Sequence, residues 1–149
     1  MTDNCIQLIK HYERLYLKAY LDPVKIPTIG YGTIVYPTGK RVKMGDICTE
    51  EQAIEWLNYE LEQNLKYVNS LKLNENQVDA CMSFIYNCGS GNFNISSLKK
   101  KIIKNPSDPT IEHEFLKWVH AGGMVLQGLV YRRKSEWDLY SKGKLIYYN

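Results

Sequence analysis

Two carboxylic acids and a hydroxyl near the start of the chain have the types and spacing needed for hydrolysis. Glu13, Asp22 and Thr28 follow one another within a short stretch. Glu13 falls at the predicted C-terminal end of a helix, where the negative end of the helix dipole disfavours an ionised carboxyl. Asp22 falls in a predicted turn, where backbone N–H groups and water favour the ionised form. Two carboxyls in opposed environments suit general acid–base hydrolysis, of which glycoside hydrolysis is the common case.

Taken singly, these residues have simpler explanations. Most glutamates at helix ends are only solvated, and most Asp-Pro pairs only make turns. The prediction therefore depends on all three residues together.

Three predicted elements must position these side chains. A helix ending near Glu13 is predicted by apolar residues at helical spacing, namely Cys5, Leu8, Ile9 and Tyr12. Alternating side chains from Leu15 to Leu21 predict a strand, and Asp22-Pro23 predicts a turn after it. A second strand is expected over residues 28–32, where two glycines allow close approach to the backbone.

Size and composition fit an ordinary soluble globular protein. The chain has 149 residues, of which 44% are hydrophobic and 23% charged, enough for a sizeable core. It contains no apolar run of about 18 residues, so neither a secretory signal nor stable membrane insertion is predicted. The net charge of +3 mildly favours an anionic partner such as a bacterial wall, although nucleic acid would satisfy it equally.

Neither a metal nor a cofactor is predicted. Reduced thiols are favoured over disulfides or metal ligation for the four cysteines, Cys5, Cys48, Cys81 and Cys88, because their spacing fits neither a metal site nor a disulfide scaffold. The three histidines, His11, His113 and His120, are not spaced as metal ligands either.

Helices are predicted for most of the remaining chain. Alternation over residues 41–46, with Val42 and Met44 on one face, completes a small antiparallel sheet of two or three strands. A capping box at residues 49–52 then opens a long helix reaching Leu71. Four further helices are predicted. One starts at residues 74–77, one runs from Ser96-Ser97 through Ile103, one runs from a Thr110 cap to Gly122-Gly123, and the last covers residues 129–140.

The chain resembles the phage lysozymes or endolysins of glycoside hydrolase family 24. Members carry Glu, Asp and Thr at the spacing of Glu13, Asp22 and Thr28. The resemblance extends from about residue 4 to residue 140, through residues 12–20, 28–32, 84–98 and 118–133. One departure is Thr33, where many members have His, so the structural support expected of that His is missing or replaced.

The resemblance implies an α+β, lysozyme-like fold. A small antiparallel sheet lobe, about residues 1–48, is expected to join a mostly helical lobe, about residues 73–149, through a connecting helix over about residues 49–72. The active-site cleft is expected between the two lobes of this single lysozyme domain.

The resemblance also implies the reaction, which is hydrolysis of the β-1,4 bond between N-acetylmuramic acid and N-acetylglucosamine in peptidoglycan. Glu13 would be the general acid, Asp22 would stabilise positive charge and help hold a water, and Thr28 would position that water. Inversion is then expected, with the carboxyls about 6.5–9.5 Å apart.

Four further residues are candidate substrate contacts by their position in the matching motifs, namely Ile34, Tyr86, Asn87 and Ser97. Ile34 and Tyr86 could equally be structural, Asn87 could be a helix C-cap and Ser97 an N-cap. Arg132 and Arg133 are expected to fix the last helix or pair with acidic groups rather than bind substrate.

Three alternative functions differ in chemistry. A lytic transglycosylase would need only Glu13, so Asp22 and Thr28 favour hydrolysis. A catalytically silent wall-binding protein is disfavoured by the intact triad. A nucleic-acid-binding domain is supported only by Lys99-Lys100-Lys101, which lacks interleaved aromatic residues.

The resemblance further implies a monomer in the host cytoplasm that lyses the cell after release through a holin-type protein.

Overall fold

The chain is described by a computed structural model covering all 149 residues. An early antiparallel hairpin precedes a mostly helical remainder, which confirms the predicted α+β class. The elements in chain order are α1 (Asp3–Glu13), β1 (Tyr16–Leu21), β2 (Pro27–Gly30), α2 (Glu50–Asn64), α3 (Glu75–Cys88), α4 (Ser90–Ile95), α5 (Ser97–Lys104), α6 (Ile111–Leu116), β3 (His120–Ala121), β4 (Met124–Val125) and α7 (Gln127–Lys142). None of the helices is both long and apolar enough to span a membrane.

The chain divides into two compact units. One is Ile9–Gln63, and the other combines Met1–Leu8 with Asn64–Asn149. The first contains the β1–β2 hairpin and a small core of Ala19, Ile29 and Val42, against which Tyr36, Cys48 and Trp56 pack.

The prediction of a further strand over residues 41–46 is wrong. Val42 is buried but Met44 is 54% exposed, so the two do not share a buried face. A turn at Gly45, closed by the Asp46 N–H on the Lys43 carbonyl, interrupts the segment, and only isolated bridges such as Val35 to Arg41 form.

Gly30 ends β2 at a point that no larger residue fits. Its φ is +66°, and a Cβ built on it would lie 3.1 Å from the Ala53 Cβ of α2. Glycine therefore permits both the left-handed backbone and the close approach of α2 to the hairpin.

The capping box that opens α2 is confirmed. The Gln52 side chain accepts from the Thr49 N–H at 3.0 Å, and the Gln52 N–H donates to Thr49 Oγ1 at 3.2 Å. The helix is shorter than predicted, since it ends at Asn64 and gives way to a single 3₁₀ turn, Leu65–Tyr67. Asparagine, tyrosine and valine, all weak helix formers, cluster where the predicted helix would continue to Leu71.

In the helical unit, α3 packs against α7 around an aromatic core. The Phe84 ring lies 5.9 Å from Phe115 and 5.5 Å from Trp118, centroid to centroid, with edge-to-face geometry. The predicted helix starts at residues 74–77 and at Ser96-Ser97 are confirmed, and the Asn74 and Ser96 side chains cap these helices by accepting from the backbone N–H groups of Gln77 and Lys99.

Two predictions in this unit are wrong. The helix starting after Thr110 ends at Leu116, and Gly122-Gly123 instead form the turn between β3 and β4, both with positive φ. The predicted side-chain cap is also absent: Thr110 is at the N-cap position of that helix, but its hydroxyl donates to Asp108 Oδ1 at 2.7 Å. The short helix α4 has no counterpart in the predictions.

Candidate active site

Glu13 is the last residue of α1, as the sequence predicts. The following residue, Arg14, has a φ of 62°, and its N–H closes the helix on the Lys10 carbonyl at 3.1 Å. This left-handed step ends the helix and turns the chain toward β1. The half-buried Glu13 carboxyl therefore lies at the negative end of the helix dipole.

Asp22 lies in the turn between β1 and β2, and its side chain is held by the turn's own backbone. Oδ1 accepts from the N–H groups of Val24 at 2.9 Å and Ile26 at 2.8 Å. These bonds fix the orientation of the carboxylate and compensate its negative charge. Oδ2 accepts no hydrogen bond from the protein, so it can accept one from another group.

Thr28 is buried in β2, opposite Tyr20 of β1. Its hydroxyl donates to the Ile26 carbonyl at 2.8 Å. Since a hydroxyl has one proton and two acceptor lone pairs, Thr28 Oγ1 remains able to accept a hydrogen bond but not to donate a second.

Tyr20 and Ile26 belong to this site but were not predicted. Burial raises the pKa of the Tyr20 phenol, and the neighbouring Tyr16, Glu13 and Asp22 raise it further when they are ionised. The strand alternation predicts the face of β1 on which Tyr20 lies, but its pairing with Thr28 is seen only in the structure. Ile26 acts through its backbone, and no side-chain pattern indicates that role.

Thr33, at the position where the resembled family often has His, is buried with an unpaired hydroxyl. Its backbone exchanges hydrogen bonds with Ile29 at 2.8 and 2.9 Å, but Oγ1 has no hydrogen-bond partner. The side chain therefore fills space without replacing any polar contact.

The four candidate substrate contacts lie in both compact units. Ile34 belongs to Ile9–Gln63 and is 40% exposed. Tyr86, Asn87 and Ser97 belong to the helical unit, where Tyr86 is half-buried. The alternative capping roles are wrong, because Gly89 is the C-cap of α3 and Ser96 is the N-cap of α5.

Ser97 and Asn87 both have protein partners. Ser97 Oγ donates to Glu114, a buried carboxylate that also binds Lys117 at 2.9 Å. Asn87 Oδ1 accepts from Arg133 Nη2 at 2.6 Å.

The expectation that Arg132 and Arg133 pair with acidic groups is confirmed. Both are buried on α7 beside Glu136, with Nε to carboxylate distances of 3.5 Å for Arg132 and 3.0 Å for Arg133. Ser83 Oγ donates to the same carboxylate at 2.6 Å. The ion pairs lie within α7, and the hydrogen bond from Ser83 of α3 to Glu136 joins α7 to α3.

No group of three or more His, Cys, Asp and Glu side chains is arranged to hold a metal ion.

Comparison with known proteins connects this geometry to one family. The phage lysozyme family profile matches residues 10–136. The endolysin of Bacillus phage PZA is 37% identical over 93% of this chain, and the chain spans 54% of that protein's length. The endolysin of Acyrthosiphon pisum secondary endosymbiont phage 1 is 34% identical, with 94% of this chain and 97% of that protein aligned.

A solved structure shows the same fold. The endolysin from Escherichia coli O157:H7 phage FAHEc1 superposes with a TM-score of 0.87 at 33% identity, covering 99% of this chain and 96% of the other. The similarity therefore extends over both compact units.

Proposed function

The chain belongs to the phage lysozyme family, and from that membership we propose that it is an endolysin-type muramidase. It hydrolyses the β-1,4 bond between N-acetylmuramic acid and N-acetylglucosamine in bacterial peptidoglycan and so lyses the host cell. The observation that carries the proposal is the placement of Glu13 at a helix C-terminus and of Asp22 in a turn that holds its carboxylate.

Glu13 is the proposed general acid. Glu13 is the last residue of α1, and as a carboxylic acid it would donate its proton to the leaving glycosidic oxygen. Protonation lets that oxygen depart as a hydroxyl while positive charge develops on the sugar.

Asp22 and Thr28 are proposed to hold the attacking water. Thr28 Oγ1 uses its proton on Ile26, and Asp22 Oδ1 is occupied by two N–H groups, so each side chain meets the water as an acceptor. A water that donates both protons to Thr28 Oγ1 and Asp22 Oδ2 retains a lone pair for the anomeric carbon. Attack by this water on the face opposite the leaving group inverts the configuration, and Asp22 Oδ2 accepts the proton that the water loses.

Ile34, Tyr86, Asn87 and Ser97 remain proposed contacts to the glycan. An aliphatic side chain or an aromatic ring packs on the apolar face of a sugar, and an amide bonds to its polar groups. Ser97 has the weakest support, because its hydroxyl already donates to Glu114.

Clearing of purified peptidoglycan sacculi by wild type and by Glu13→Gln tests the proposal. Glutamine keeps the shape of the side chain but has no acid proton, so clearing should fall by at least about a hundredfold. Glu55→Gln, an exposed carboxyl of α2, is the matched control and should clear normally.

The products distinguish the rival functions. Hydrated reducing ends, formed first as the inverted α anomer, support the proposed reaction, whereas anhydro ends would identify a transglycosylase. Binding of sacculi by wild type without cleavage would identify a silent wall-binding protein.

The route to the wall is a separate proposal that rests on the family membership. We propose that the monomer accumulates in the host cytoplasm and that a holin-type protein releases it. Expression in a bacterial host should then cause lysis only when a holin is coexpressed or the membrane is permeabilised. Lysis upon expression of the chain by itself would contradict this route.

A further inference from the structure

We propose that Arg133 is a positioning residue that fixes Asn87 as a hydrogen-bond donor to a carbonyl or carboxylate oxygen of the glycan. The inference rests on the proposed function, since it concerns how the same glycan is bound. It assigns a direction to the Asn87 contact and a role to an arginine that touches no solvent.

The Arg133 guanidinium is immobilised on every side. Nη2 donates to Asn87 Oδ1 at 2.6 Å, Nη1 lies 2.7 Å from Cys88 Sγ, and Nε lies 3.0 Å from Glu136 Oε1. The guanidinium carbon lies 5.1 Å from the centre of the Phe84 ring. The side chain has no exposed surface, so it cannot rotate without breaking these contacts together.

This arrangement determines which end of the Asn87 amide faces outward. An arginine is only a donor, so it selects the amide oxygen and turns the nitrogen away. The Cys88 thiol contacts the same oxygen at 3.7 Å. Asn87 Nδ2 makes no hydrogen bond within the protein, and the residue is exposed.

An unrestrained surface asparagine can rotate to offer either a donor or an acceptor. Asn87 offers only its two N–H groups, so its ligand atom must be an acceptor. In a muramyl glycan the strong acceptors are the acetamido carbonyl, present on both sugars, and the lactyl carboxyl group, present on one, which is an amide carbonyl where a peptide is attached and a carboxylate where none is. Sugar hydroxyls both donate and accept hydrogen bonds, so they discriminate less between the two orientations of the Asn87 side-chain amide.

Asn87→Asp is the decisive variant. Aspartate keeps the shape and its oxygen still accepts from Arg133 Nη2, so the fold is retained, but the outward N–H group becomes an oxygen that repels an acceptor. We expect KM for glycan strands to rise at least about tenfold with kcat changed much less. Asn94→Asp is the matched control, because Asn94 is also exposed and its oxygen also accepts from a cation, Lys99 Nζ, at 3.2 Å.

Arg133→Lys tests the positioning role. Lysine cannot reproduce the planar fork, so the amide is released from its fixed orientation and KM should rise less than in Asn87→Asp. The Asn87 side-chain amide resonances report the release directly, since they should lose their distinct shifts in Arg133→Lys while the fold is monitored by the backbone resonances.

Binding without turnover separates this inference from the proposed function. In a Glu13→Gln background, Asn87→Asp should weaken binding of chito-oligosaccharide if the acetamido carbonyl is the acceptor. It should weaken only binding of muramic-acid-containing strands if the lactyl carboxyl group is the acceptor. Unchanged binding of both ligands would overturn the inference, whereas absence of cleavage by the wild type would overturn only the proposed function.

Discussion

Asp22 and Thr28 are held by the same residue, because the N–H of Ile26 donates to Asp22 Oδ1 and the carbonyl of Ile26 accepts from Thr28 Oγ1, both at 2.8 Å. The Asp22 N–H also donates to the Ile26 carbonyl at 3.1 Å. The two catalytic candidates are therefore positioned through one peptide segment, and their arrangement does not depend on the side chain at position 26.

Thr28→Val should abolish most of the activity while leaving the fold nearly intact. Valine keeps the buried shape but offers no acceptor for the proposed water, so the rate of sacculus clearing should fall about a hundredfold or more. The Ile26 carbonyl keeps the Asp22 N–H as a partner, so the free energy of unfolding should fall by only about 1 kcal/mol. Clearing assays and thermal melts measure the two effects.

Two controls separate the hydroxyl from the backbone link. Thr28→Ser retains the hydroxyl and should retain activity within about tenfold. Ile26→Ala retains both peptide contacts and should clear sacculi nearly as well as wild type. A large loss of activity in Ile26→Ala would contradict the view that the backbone of this residue does the positioning.

Thr33→Val should leave stability unchanged or raise it by about 1 kcal/mol. The Thr33 hydroxyl is buried without a hydrogen-bond partner, so replacing it by a methyl removes a desolvation cost and loses no contact. Thr33→Ser, which keeps the hydroxyl and deletes the methyl, should be destabilised. Chemical denaturation of wild type, Thr33→Val and Thr33→Ser measures the free energies of unfolding. A Thr33→Val variant less stable than wild type would show that the hydroxyl has a hydrogen-bond partner.

The local features of the site could be predicted from the sequence because they depend on nearby residues. The helix end at Glu13, the turn at Asp22 and the caps at Thr49 and Asn74 all follow from short-range rules. The ends of α2 at Asn64 and of α6 at Leu116 could not be predicted with the same rules, because apolar residues continue at helical spacing past each of them.

Contacts between residues far apart in the chain could not be predicted from the sequence either. Asn87 and Arg133 are 46 positions apart, and neither spacing nor composition indicates that one fixes the other. The unpaired Thr33 hydroxyl depends on what surrounds it in the fold. A single sequence identifies a departure from a motif but does not show whether another residue compensates for it.

Glu136→Gln should destabilise the helical unit strongly. The carboxylate balances the charges of Arg132 and Arg133, both almost fully buried, and accepts from Ser83. Removing one partner of a buried ion pair leaves uncompensated charge, so the free energy of unfolding should fall by about 3–5 kcal/mol. Urea denaturation measures this loss.

Lys142→Met is the comparison for an exposed ion pair. Lys142 binds Asp138 at 3.0 Å, but its side chain is 57% exposed. The free energy of unfolding should therefore fall by less than about 1 kcal/mol. If Glu136→Gln and Lys142→Met lowered the free energy of unfolding equally, the buried ion pairs of Glu136 would not be more stabilising than an exposed one.

Glu114 should make the helical unit sensitive to acid. Burial would raise the pKa of this carboxyl, but hydrogen bonds from Ser97 and Lys117 and the charges of Lys117 and Lys101 outweigh burial, so its pKa is lowered from 4.5. A lowered pKa in the folded state means that the carboxylate contributes stability above pH 4.5, and that this contribution is lost as the pH falls through the folded value.

The difference in Tm between wild type and Glu114→Gln isolates this contribution from other acid effects. It should be a few degrees (~3 °C) at pH 7 and should shrink once the pH falls below 4.5. Glu112→Gln, on the exposed side of α6, should give a Tm close to wild type at every pH. A difference for Glu114→Gln that stays constant or grows toward pH 3 would show that the buried carboxyl is not held as an anion by Ser97 and the two lysines.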